Sequence, residues 1–124
     1  MLLNFTNHPS TQWGAAQRTV ALEAYGSIQD LPFPQVAPTA GEQALDALAH
    51  CCTRRILAQK PAAVLCQGEC TLSYRVIQLL LAQGMPVLAA CSVRQTVELR
   101  RPDGSTCKQS IFVFAGFRRY DTPR

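Results

Sequence analysis

At 124 residues the chain is the size of one domain, and 48% apolar against 16% charged residues give it the material for one buried core, which excludes a disordered or fibrous chain. Its longest mostly apolar stretches, 76–82 and 85–91, fall far short of the ~20 residues a membrane span needs. The net charge of +4 is concentrated: residues 1–93 carry five basic and five acidic side chains, residues 94–124 seven basic and three acidic ones. Such a surplus fits an anionic partner, or a solvated hairpin whose Lys and Arg keep a sheet edge from pairing.

Residues 2–7 read as a short buried strand. Pro9, Ser10 and Thr11 then mark a helix start, and Trp13, Ala16, Val20 and Ala24 recur at helical spacing as one apolar face, closed by Gly26. Residues 27–31 form a second, weaker strand, and Pro32, Pro34 and Pro38 make an extended linker after it. Thr39-Ala40-Gly41-Glu42 has the spacing of a capping box. Leu45, Leu48, Ala49, Cys52 and Ile56 mark the stripe of a second helix, ended by Pro61. The continuous apolar run at 62–66 has the pattern of a strand buried on both faces. A turn at Gln67-Gly68-Glu69 leads into a third helix over about 71–83, with a wide stripe from Leu72, Val76, Leu79 and Leu80 and a stop at Gly84. Residues 85–91 are a fourth apolar strand. After Ser92 the texture changes to the alternating stretch 96–100, a turn signal at Pro102-Asp103-Gly104-Ser105 and a returning strand at 110–114, which together spell a β-hairpin.

This order predicts an α/β fold, a Rossmann-like three-layer sandwich occupying 1–124 as one domain. Four parallel strands, in the order 2-1-3-4, are followed by a C-terminal antiparallel hairpin. The six cysteines form no C-x-x-C pair, so zinc is not expected, and with no secretion signal expected a disulfide framework is not expected either; they read as small buried apolar residues in a reducing cytoplasm. Met1-Leu2-Leu3-Asn4-Phe5 lacks the basic start of a secretory signal, and none is expected.

In open α/β sheets ligands sit beyond the carboxyl ends of the strands, where the strand order reverses. Asn7, His8 and Ser10 follow strand one there, Gly68, Glu69 and Thr71 follow strand three, and Arg94 follows strand four. The two loops that open helices present free helix N-terminal amides, which favour anions. His8 has the chemistry of a general acid or base, and Arg94 that of a phosphate ligand. Each also has a plainer reading. Asn7 can cap its own turn, Ser10 and Thr71 can be helix-start hydroxyls, and Glu69 is favoured at any helix N-terminus. His8 and Arg94 can be surface groups, and Trp13 and Tyr74 either core residues or rings for a base to stack on. No P-loop, G-x-G-x-x-G or G-x-S-x-G motif occurs, and the only histidines are His8 and His50. No metal and no cofactor is expected.

The strand exit Asn4-Phe5-Thr6-Asn7-His8-Pro9-Ser10, the turn Gly68-Glu69-Cys70-Thr71-Leu72 and the closing basic hairpin resemble the small CRISPR-associated ring-nuclease-type proteins, stand-alone relatives of the CARF domain. The resemblance implies a Rossmann-like homodimer that binds cyclic oligoadenylate across its two-fold axis, and in some members cleaves it without metal. The residue reading is compatible with it, with His8 and Arg94 as candidate catalytic residues and Asn7, Ser10, Gly68, Glu69, Thr71 and Arg94 as candidate ligand contacts. No membrane and no duplex nucleic acid is expected as partner. The chain departs from the pattern in lacking a clear catalytic lysine at the strand exits. The alternative is a non-catalytic nucleotide-binding or regulatory module, or a plain dimerisation domain.

Overall fold

The structure, a computed structural model, describes residues 1–122; Arg124, part of the basic surplus, lies outside the described residues. Its elements are β1 (Leu2–Thr6), a 3-10 turn (Ser10–Gln12), α1 (Ala15–Tyr25), β2 (Ile28–Asp30), α2 (Glu42–Ala58), β3 (Ala63–Gln67), α3 (Cys70–Ala82), β4 (Val87–Arg100) and β5 (Thr106–Arg119). They form an α/β unit around one mixed five-stranded sheet in the order β2-β1-β3-β4-β5. β2, β1, β3 and the start of β4 run parallel, and β5 returns antiparallel along β4.

The sheet is covered on both faces at its parallel end. Leu3, Phe5, Val64, Cys66 and Val87 point into the core shared with α2 and α3, and Leu2, Ala63, Leu65 and Leu88 face Ala21, Trp13 and Tyr25 on the other side. That double coverage is why β1 is buried along its whole length and β3 reads as an apolar run up to Gln67. On α2 the expected stripe is buried at Leu45, Ala49, Cys52 and Ile56. Arg75 on α3 holds Asp46 on α2 at 2.8 Å.

Four local expectations need correction. The fourth strand does not stop at Cys91: β4 continues without a break to Arg100, so strand four and the first hairpin strand are one element. A bulge marks the place where the sequence texture changes. Cys91 faces Gly116 and Ser92 faces Phe114, which leaves Ala115 unpaired, and Gly116 takes φ +148°. α1 buries Ala21 between half-buried Trp13 and Tyr25, while Val20, placed on the core face by spacing, is 40% exposed. The Thr39–Glu42 capping box does not form, since α2 starts after Gly41 with no side-chain cap. Among the cysteines only Cys52 and Cys66 are buried, and Cys51 and Cys70 are exposed; all six are free thiols. Among the described residues no helix is long and apolar enough to cross a membrane.

Candidate functional site

The loop after β1 is held from beneath by a buried polar network. Asn4, in the middle of an apolar strand, is 1% exposed. Its Nδ2 donates to the His8 carbonyl at 2.8 Å and to Asp30 Oδ1 at 2.9 Å, while its Oδ1 accepts from Thr6 Oγ1 at 2.8 Å. The Asp30 carboxylate, at the end of β2, accepts from both the backbone N–H and the hydroxyl of Ser10. Trp13 Nε1 adds a donor to the His8 carbonyl at 3.2 Å, and Arg18 reaches the Ser10 carbonyl at 2.6 Å. A buried network is stable only when its members are satisfied, and here each satisfies another, fixing the loop on two neighbouring strands.

The turn after β3 is positioned by apolar contact. A Cβ on Gly68 would lie 2.6 Å from the ring of Phe33. Phe33 itself is buried and packed against Phe5, the rings tilted by 41° with centroids 4.8 Å apart. Gly68 is thus required so that the proline-rich segment after β2 can close over the β3 exit. Its small size serves that packing.

Between these two loops and β4 lies a cleft of about 490 Å³. That volume falls within the ordinary range of small-molecule sites. Asn7, His8 and Gly68 line it, as the topology rule predicts. Trp13 lines it too, one of its two expected alternatives. Gln67 and Ser92, from the exits of strands three and four, line it as well, together with Gln12 and Gln17, which sequence reasoning missed. No Asp, Glu, Lys or Arg is among the lining residues; the cleft offers side-chain amides, the hydroxyl residues Thr6 and Ser92, an imidazole and an indole. Gln67 also uses its Oε1 to accept the Ala90 N–H at 3.0 Å, tying β3 to β4 inside the wall.

The remaining candidates lie apart from this wall. Ser10 is buried against Asp30. Glu69 caps α3, its carboxylate accepting from the N–H groups of Thr71 and Leu72 and from the Thr71 hydroxyl. The Thr71 hydroxyl and backbone hold the Glu69 carboxyl below the usual carboxylate range. An anion at the start of α3 would have to displace Glu69. Tyr74 is 64% exposed on α3. Arg94 is not in a loop: it lies within β4, its guanidinium on Ser110 Oγ at 3.0–3.1 Å. It nevertheless shares the strand face of Ala90 and Ser92, two residues and about 7 Å beyond the cleft wall. Burial pushes the thiol of Cys66, behind the β3 exit, up to about 12. Among the described residues no group of three or more His, Cys, Asp or Glu side chains is placed to hold a metal ion.

A family model described as the uncharacterized protein MJ1673 family matches residues 1–118. No curated protein and no solved structure matches the chain.

Proposed function

The chain belongs to the uncharacterized protein MJ1673 family, and from that premise we propose, on the chemistry of its cleft, that it binds a nucleotide messenger of the cyclic oligoadenylate type in CRISPR defence. The carrying observation is the composition of the wall: side-chain amides and an indole ring without one formal charge. Amides supply donors and acceptors to base edges and sugar hydroxyls, and an indole supplies a stacking face. Phosphate charge is left to Arg94, on the same strand face just outside. In this reading the parallel part of the sheet is Rossmann-like, the protein acts in a reducing cytoplasm, which its six free thiols suit, and two copies meet the symmetry of a ring.

Cleavage, where it occurs, needs no metal. The ribose 2′-hydroxyl attacks the adjacent phosphorus, the O2′–P bond forms, and the bond from phosphorus to the 5′ oxygen breaks. The products are a 2′,3′-cyclic phosphate and a 5′-hydroxyl. His8 moves the proton between these oxygens, and Arg94 stabilises charge on the phosphate. A binding-only module is the second reading, and one observation favours it. The His8 side chain is exposed, and the structure gives its ring no hydrogen-bond partner to orient it among the described residues.

Incubation with cyclic tetra-adenylate in the presence of EDTA tests both. Linear products, slowed ~100-fold or more by His8→Ala, establish cleavage. Binding without products, weakened ~1.5–3 kcal/mol by Arg94→Ala, establishes the binding module. A thermal shift absent with this and other nucleotides overturns the nucleotide reading, because ligand at 100 times its dissociation constant adds ~2.7 kcal/mol.

A further inference from the structure

Beyond the bulge, β4 and β5 run on as a two-stranded ribbon whose side chains alternate between two faces. The charges within its strands all fall on one face. Arg94, Glu98 and Arg100 alternate there along β4, and Lys108 stands directly opposite Glu98. The other face has no charge. It is built from Val93, Val97 and Leu99 on β4 and Ile111 and Val113 on β5, broken only by Gln95 and Gln109 between the flanking Cys91 and Cys107. Val93 is 51% exposed, Leu99 45%, and Ile111 and Val113 38% each. A two-stranded ribbon is marginal in water unless its apolar face is covered.

We propose that this face docks a second copy of the chain, ribbon on ribbon about a two-fold axis. The ribbon carries four basic and two acidic side chains, so two like-charged copies meet here most readily through the face without charge. An anionic partner would be drawn to the opposite, charged face. The apolar face is also self-matching. Val93-Gln95-Val97-Leu99 on β4 and Cys107-Gln109-Ile111-Val113 on β5 both alternate as apolar, Gln, apolar, apolar, so the pattern reads alike from either end. Its two amides lie diagonally at the middle, where each can donate to and accept from an amide of the facing copy. The free face is about 30 Å long and about 10 Å wide, a few hundred Å² per copy. That is below the roughly 800 Å² per partner of a standard specific interface, and it makes the pair a weak, reversible one.

The surface stands on the ribbon alone, so a monomer that binds nucleotide would overturn it without touching the cleft, and a dimer blind to nucleotide would do the reverse. Sedimentation of the full chain from about 1 to about 100 µM tests it. The expected result is a mass rising toward twice 13.6 kDa. Ile111→Glu should hold the protein at the single-chain mass with unchanged circular dichroism, and Thr96→Glu, on the charged face, should leave the dimer intact. Gln95→Lys places charge where the monomer already exposes a polar side chain; folding is preserved, and dimerisation should weaken at least tenfold. A wild-type mass that stays single throughout overturns the proposal, as does dimerisation of folded Gln95→Lys at wild-type strength. Loss of the dimer in Thr96→Glu alone moves the interface to the other face and overturns it equally.

Discussion

Val87 and Leu88, at the start of β4, are 0% and 3% exposed, while Val93 and Leu99 on the same strand are 51% and 45% exposed. The first pair sits between β3 and β5 with helices on both sides; the second has only β5 beside it. Near-continuous apolar sequence marks the covered half and alternation the free half, and the pairing of β4 with β5 runs on from one to the other across the bulge at Cys91 and Ser92. The comparison teaches that texture reports what covers a strand, and says little about where the strand ends.

The contrast can be broken most sharply at Asn4. Asn4→Ala removes both Nδ2 bonds and leaves Asp30 and the His8 carbonyl short of a donor; chemical denaturation should show a loss of about 2–4 kcal/mol. A smaller loss, about 1–3 kcal/mol, is expected for Gly68→Ala, since the new methyl must push a ring already pinned against Phe5. Nucleotide binding should fall with it, because the β3 exit moves. Thiol labelling sharpens the comparison by burial: Cys51 and Cys70 should react with a maleimide in the native protein and Cys66 only after unfolding. The Cys66 thiol is raised in the folded state above its unfolded value of 9.0, so the folded form holds the proton more tightly. Its contribution to stability is complete below about 9 and is lost as pH rises toward 12, a loss that Cys66→Ala should abolish. The smallest effect belongs to the ribbon. Phe112→Ser, at a residue 74% exposed, should leave the unfolding free energy within about 0.5 kcal/mol of wild type.

The parallel half was legible because each strand and helix there carries one dominant signal. The runs at Leu2–Thr6 and Ala63–Gln67 and the stripe from Leu45 to Ile56 are set by burial, which sequence records directly. Asn7, His8 and Gly68 line the cleft because strand order aims their loops there. What could not be read depends on partners far apart in the chain. Asn4 meets Asp30 across 26 positions, and nothing local distinguishes it from an inconvenient polar residue in an apolar run. Gln12 and Gln17 are ordinary surface residue types until the fold points them at one space. Glu69 was anticipated near a helix start, but that its carboxylate occupies the amides needed for phosphate is a matter of rotamer. Arg94 was displaced from a loop into a strand because an apolar-to-polar change at Ser92 resembles a boundary, although the ladder crosses it.

Asp30 has a consequence for the edge of the sheet. β2 is only three residues long, and its last residue spends its carboxylate on Ser10 and on Asn4 rather than on its own strand. The edge is therefore fastened through the loop that borders the cleft. Anything that steadies that loop should slow amide hydrogen exchange along Ile28–Asp30, even though no β2 residue borders the cleft, and β2 becomes a reporter of occupancy that can be read without a label.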